Sequence, residues 1–466
     1  MKMKHMTRYG AAAVVVAGTM AVAPVWGDKP AEGGPGGAPA AGKAEEKAPR
    51  KLADLPPPKP ISPQITKGLA YLAKIQNADG GWAQGGGWRR NAEGAGRVQA
   101  DQAEDRSDLG NTCYAMLALL RSGADLQTGP YAENLRKGAD YVMTQVEKAD
   151  DDSLYVTSVR DTQLQSKIGR YVDTFLAMQL LSELKGLMPD PEGEERRAKM
   201  LDMVVAKVGG NQKKDGDFAG NGGWASVLSQ GIASRSLNSA RLVGAPVSDE
   251  MLERDHRQNL VGLDVAGRTF AATGVAGGAG GGPTSAGVSL YTASSKLRGF
   301  AENSVVNGRR KQALEEVAAS PVAAPAEKEK AQVELKKIED AEVAKDAAVQ
   351  AVAASVQDAA FVQGFGNNGG EEFLSYMNIS ESLRLEGGKE WKEWDQKITA
   401  TINDAQNEDG SWSGHHCITG RTFCTAGALL TLMADRAPVP EAGEEAVAKS
   451  DAGENPTIKT GEPEVE

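Results

Sequence analysis

Over 61–306 and 359–436, apolar residues return every three or four positions and are broken by Gly- and Asp-rich loops, the spacing of one face of an α-helix. Convincing alternation of apolar and polar residues, which would mark half-buried strands, is missing from these stretches. The pattern predicts an all-α body. It contains two kinds of helix: amphipathic ones such as "KGLAYLAKIQ", and ones apolar nearly all round, "TCYAMLALL" from Thr112, "TFLAMQLL" from Thr174 and "CTAGALLTLM" from Cys424. The second kind has no face left for water and is expected on the inside.

The two kinds alternate because the sequence repeats. "KGLAYLAKIQNADGGW" (Lys67 to Trp82) aligns without a gap on "KITATINDAQNEDGSW" (Lys397 to Trp412), which places Gln76, Gly80 and Trp82 opposite Gln406, Gly410 and Trp412. "KGADYVMTQ" (Lys137 to Gln145) repeats the opening, and "QKKDGDF" (Gln212 to Phe218) repeats the close with Phe218 in the Trp place. An amphipathic helix opens each unit, Asp-Gly ends it with a residue that tolerates positive φ, the aromatic packs back over the turn, and a Gln can satisfy orphan backbone groups. Each unit is thus a helical hairpin, outer helix then inner helix, and the intervals between copies fit five or six of them.

Other segments differ in composition. "MKMKHMTRYGAAAVVVAGTMAVAPVWG" (1–27) has basic residues, then a short apolar run, then small residues, the plan of a secretory signal peptide or an N-terminal anchor. Residues 28–60 are a Pro-, Gly- and Ala-rich stretch too poor in large apolar side chains to order itself, read as a tether. Residues 307–358 are Ala-, Glu- and Lys-rich with only a thin apolar stripe, read as a solvated helical insertion or a partner-binding arm. Residues 437–466 form an acidic tail that carries much of the net charge of −11. The balance argues against a nucleic-acid partner. No further run is apolar enough to span a bilayer, so the expectation is an exported protein, periplasmic, in the cell envelope, secreted or N-terminally anchored, with at most peripheral membrane contact.

The motif Lys-Gly-x2-Tyr-Leu-x3-Gln-x3-Gly-x-Trp resembles the QW repeat of squalene and oxidosqualene cyclases, shared in degenerate form by protein prenyltransferase β subunits, the prenyltransferase and squalene oxidase repeat family. The resemblance spans about 61–435. It implies an α/α toroid, an inner ring of parallel helices within an outer ring, with a cavity at the inner ring's mouth and with the QW residues tying hairpins together rather than catalysing. Cyclases of the family carry Asp-x-Asp-Asp-Thr-Ala where an inner helix begins. Here "DLGNT" keeps Asp108 but has Gly110 and Asn111, and "RYVDT" keeps Asp173 but has Val172, so the acid motif is not intact. Few aromatic side chains are available to face carbocations, at 5% of the chain. Prenyltransferases hold zinc with Asp, Cys and His. No Asp-x-Cys pair exists here, and Gly420 stands where the ligating His belongs.

The densest group of metal-capable residues is "GHHCITGRTFC", with His415, His416, Cys417 and Cys424 as candidate ligands for zinc. In an exported protein a disulfide among Cys113, Cys417 and Cys424 is an alternative, its pairing open. "DQAEDRSD" (Asp101 to Asp108) offers Glu104 and Asp108 as an acid pair or a calcium site, against a plain solvated loop with capping acids, and Asp173 joins them as an acid candidate. Arg89 and Arg90 are candidates for an anionic substrate, the Gly-rich 272–287 for a phosphate cradle or a mobile rim loop, and His256 reads as a surface residue. The expected function is a repeat protein without cyclase chemistry whose cavity binds an apolar or isoprenoid-like molecule, or an envelope protein. A divergent transferase or polysaccharide-lyase-type enzyme and a protein-binding scaffold are the alternatives.

Overall fold

The computed structural model describes residues 57–89, 96–271, 288–366 and 368–438. The chain divides into two compact units, Met1–Pro49 and Arg50–Glu466, and the first lies outside the described residues. So do the expected signal peptide, nearly all of the tether, Arg90, the Gly-rich 272–287 and all but the start of the acidic tail.

The described part of the second unit is mostly helical, 63% helix against 4% strand. Its helices, in chain order, are α1 (Pro63–Lys74), α2 (Leu109–Arg121), α3 (Ala132–Glu147), α4 (Gln163–Ile168), α5 (Val172–Glu183), α6 (Pro191–Asn211), α7 (Val227–Leu242), α8 (Asp249–Leu260), α9 (Ser289–Ala319), α10 (Pro325–Ser355), α11 (Ala359–Gln363), α12 (Gly370–Glu386), α13 (Gly388–Asp404) and α14 (Arg421–Leu432). Short polar side chains start several of them: Ser62, Asp108, Thr162, Asp190 and Ser248 each accept a hydrogen bond from the backbone N–H three residues on. The strands that periodicity does not predict are two short antiparallel ribbons, β1 (Gly87–Arg89) with β2 (Gly96–Val98), and β3 (Leu263–Asp264) with β4 (Thr269–Phe270).

Helices α2, α5, α7, α12, α14 and the first half of α9 are buried on nearly every side, as sequences apolar or small all round require. α2 packs on α5, α5 on α7, α7 on α9, α9 on α12, α12 on α14, and α14 on α2, so the series of neighbours returns to its start. The amphipathic α1, α3, α6, α8 and α13 lean on this series from one side each.

The repeated heptapeptides join these units. Gly80, Gly216 and Gly410 all have φ near +88° and sit against the next amphipathic helix: a Cβ at Gly80 would lie 2.5 Å from the Lys137 carbonyl oxygen, and one at Gly410 2.8 Å from that of Lys67. Gln76 donates to its own turn at Gly80 and to the carbonyl of Asn134, and Gln212 to that of Met251. Trp82 donates from its indole to Leu72 and from its backbone to the Thr112 hydroxyl; Trp412 does the same with Ile402 and Thr425. The Lys-Gly opening has its reason here too. Gly138 leaves room for the ring of Trp82 and Gly68 for that of Trp412. Where the body's chain begins and ends, the Lys59 backbone N–H donates to Asp435 and the Arg436 guanidinium donates to the Lys59 carbonyl.

Two expectations need correction. Residues 307–358 are not a detached solvated insertion: they form the end of α9 and α10, which packs along α9 through Ile338, Ala344, Ala348 and Val352. Alanine supplies little apolar area per residue, so the stripe looks thin in sequence, yet its small size lets the two helices approach closely. His256 is half-buried against Phe300 rather than a surface residue, and burial lowers its pKa.

Candidate metal centre

The N-terminal ends of several buried helices meet at one place. α12 opens with Glu371 and Glu372, where the helix dipole favours carboxylates. The backbone N–H of Gly370 donates to the Ile418 carbonyl, which anchors the loop before α14 to the start of α12. Ile418 N–H in turn donates to Glu371 Oε2 at 3.3 Å. Glu372 Oε1 accepts from the Tyr291 hydroxyl at the start of α9 and from the backbone of Phe365 at 2.9 Å. Its other oxygen faces Nε2 of His416 at 3.2 Å, without the alignment of a hydrogen bond.

Both glutamates are wholly buried; Glu371 Oε1 has no hydrogen-bond partner, and Glu372 Oε2 and His416 Nε2 meet only as an ion pair. One ligand atom from each of the three residues lies within 4.8 Å of the others. Burial, then the charge of Glu372, pushes the Glu371 carboxyl up to about 7. Burial opposes charge on His416, but its contacts with Cys417 and with the Glu372 carboxylate, and the charges of Glu372 and Glu371, prevail and raise it to about 10. The carboxylates therefore favour positive charge beside them, which protonated His416 supplies and which a bound cation would supply in its place.

Two carboxylates and an imidazole are the donor set of a borderline divalent ion, zinc, manganese or ferrous iron, with coordination positions left for a ligand. Tyr291 and the Phe365 amide fix the orientation of Glu372, the outer support such ligands need.

His416 also lines a cavity of about 610 Å³ with Trp88, Arg89, Gln163, Ser166, Lys167, His415 and Cys417. Strand β1, α4 and the loop before α14 form its walls. Gln163 donates to the Cys417 carbonyl and ties α4 to that loop, while Arg97 in β2 donates to the carbonyls of Gly414 and His415. Cys417 holds a left-handed φ of 49°, which turns the chain there.

Of the candidate ligands, only His416 joins the three-residue cluster. His415 is exposed at the cavity wall, Cys417 stands in that wall, and Cys424 is buried in α14 with its sulfur on the Ile418 carbonyl. Cys113, Cys417 and Cys424 are all free, so no disulfide joins any two of them. Glu371 and Glu372 escape the sequence reading. The signal available was their place: two acids opening a helix, as Asp108 and Asp173 do in α2 and α5.

Asp108 and Asp173 do come together, on either side of Gly110. A Cβ there would lie 2.7 Å from Asp173 Oδ1 and 3.6 Å from Asp108 Oδ1. Burial and the Asp173 charge raise Asp108 to about 7, and burial raises Asp173 to about 6. Asp108 caps α2, donated to by the Asn111 backbone and side chain, and Asp173 accepts from Gln165. Both are thus held by their own helices. Glu104 is exposed, and its neighbour Asp105 binds Arg89. Nothing gathers the acids of Asp101 to Asp108 around one point among the described residues.

Deeper between the buried helices lies a second charged group. Glu381 of α12 meets Arg121 of α2 at 2.5 Å, Arg235 of α7 at 2.8 Å and Arg298 of α9 at 3.0 Å, with Glu183 and Glu302 alongside. Burial works against the Glu381 charge, but the three arginines outweigh it and hold the carboxyl down at about 2.

No protein-family model matches the chain, and no curated protein matches it.

Proposed function

We propose that this chain is an exported α/α toroid of the prenyltransferase and squalene oxidase repeat type. It holds a divalent cation at Glu371, Glu372 and His416 and presents it to a polar, anionic ligand in the adjoining cavity. The observation that carries the reading is the convergence of Glu371, Glu372 and His416, one ligand atom of each within 4.8 Å of the others, with Glu371 Oε1 lacking any hydrogen-bond partner. The circuit of neighbours from α2 back to α2, with the amphipathic helices on its outside, supports the toroid.

The polar and cationic cavity wall, and the arginine–glutamate cluster between the inner helices, favour a polar ligand over the apolar one that the resemblance implies. A cation bound there would supply a Lewis acid beside the cavity. The chain's own residues orient Glu372 through Tyr291 and Phe365, and His416 is the member of the set that also lines the cavity.

The test is metal analysis of the purified chain after incubation with zinc or manganese and removal of excess ion. One equivalent is expected, with loss in Glu371→Gln and His416→Ala and retention in His415→Ala. Uptake that is absent, or indifferent to Glu371→Gln and His416→Ala, overturns the proposal.

A further inference from the structure

The cavity beside the metal centre has a composition that narrows its ligand. On one wall Trp88 is 46% exposed, although its backbone is fastened by the Thr419 hydroxyl and the Gln84 side chain. The backbone is thus fixed while the indole is left uncovered, at a cost of about 25 cal/mol per Å² of apolar surface left in water. Across the cavity, α4 presents Lys167 and the Ser166 hydroxyl. Arg89 is neutralised by Asp105, but Lys167 has no carboxylate partner among the described residues, and the Ser166 hydroxyl has no hydrogen-bond partner there. The volume, about 610 Å³, is that of a small-molecule site.

These groups ask for three properties in one ligand: an oxyanion for Lys167 and the cation, hydroxyls for Ser166 and Gln163, and a flat apolar face for Trp88. A bare phosphate has only the first. A lipid tail has none of the polar ones. A pyranose ring bearing a carboxylate has all three, since its axial C–H groups form an apolar face and its equatorial hydroxyls a polar rim.

Resting on the metal-centre reading above, we infer that the cavity binds an acidic saccharide, its ring stacked on Trp88 and its carboxylate shared between Lys167 and the cation at Glu371, Glu372 and His416. Lys167 and Trp88 then set specificity, and the cation sets affinity for the charged sugar.

The experiment is calorimetric titration of the full chain, loaded with manganese, with trigalacturonate, with its methyl ester and with inorganic phosphate. Trigalacturonate is expected to bind at least about tenfold more tightly than the ester, and Trp88→Ala and Lys167→Gln each to weaken it about tenfold, a loss of ~1.4 kcal/mol, while manganese uptake stays at the wild-type level. Manganese uptake with no preference for trigalacturonate over its ester overturns the saccharide inference and leaves the metal centre standing. Phosphate binding as tight as that of trigalacturonate and unchanged in Trp88→Ala also overturns it, in favour of a simple anion site. Absence of manganese uptake in the same titration overturns the metal reading, and with it the shared carboxylate.

Discussion

The side-chain amide of Gln406 donates at 2.9 Å to the backbone carbonyl of Gln64, a residue 342 positions earlier in the chain. The same amide donates to Gly410 in its own turn. Gln76 makes the matching pair of bonds to Gly80 and Asn134, so the contact between the last repeat and the first is made as the one after the first repeat is.

Replacing Gln406 by Ala removes both bonds, at about 0.5–1.5 kcal/mol each, for an expected loss of about 1–3 kcal/mol. Gln76→Ala should cost a similar amount. Chemical denaturation of both variants checks the equality, and a Gln406→Ala cost near zero would show that the closing contact carries no load.

Gly410→Ala adds two penalties at once. A φ of +88° disfavours any L side chain, and the new Cβ would lie 2.8 Å from the Lys67 carbonyl oxygen. A loss of about 2–4 kcal/mol is expected, read as a fall in Tm. Gly123→Ala, at φ +90° with nothing within 4 Å, isolates the backbone share and should cost only about 1 kcal/mol.

Glu381→Gln leaves Arg121, Arg235 and Arg298 without their shared carboxylate in a buried site, and about 3–5 kcal/mol of stability should be lost near neutral pH. The folded carboxyl titrates at about 2, below its ordinary value of 4.5. Its stabilisation is therefore complete above the ordinary value and is lost as pH falls toward 2. Unfolding curves of parent and variant should converge in acid.

Asp108 behaves in the opposite sense. Raised from 3.8 to about 7, it binds a proton in the folded state that the unfolded chain has released. Stability is thus lost as pH rises from about 4 to about 7, not as it falls. Asn can make the same cap, so Asp108→Asn should flatten this slope and gain about 1–2 kcal/mol at pH 8 while changing little at pH 4. Tm measured at the two pH values decides it, and a parallel shift at both would refute the assignment.

What the sequence made legible was local. The heptapeptides repeat because a left-handed Gly, a returning Trp and a Gln reaching one carbonyl are set within a few residues, and the structure puts Gln76, Gly80 and Trp82 to the same use as Gln406, Gly410 and Trp412. What stayed hidden was non-local. His416 was visible beside His415 and Cys417, but its partners Glu371 and Glu372 lie a hairpin away and resemble ordinary acids of a helix start. Arg121, Arg235, Arg298 and Glu381 are spread over four helices, and none of them is unusual in its own stretch. α10 was misjudged because packing by alanines leaves a faint periodicity even when Ala348 and Val352 are fully enclosed.

Lys59 and Arg436, near the two ends of the body, hold each other. The polypeptide thus arrives and departs at a single point of a circuit of neighbouring helices. The covalent starting place is then one choice among several: joining the region of Lys59 to that of Arg436 by a short linker and opening the chain at Gly123 or Gly244 instead should give a permuted protein with the same hairpins in a rotated order.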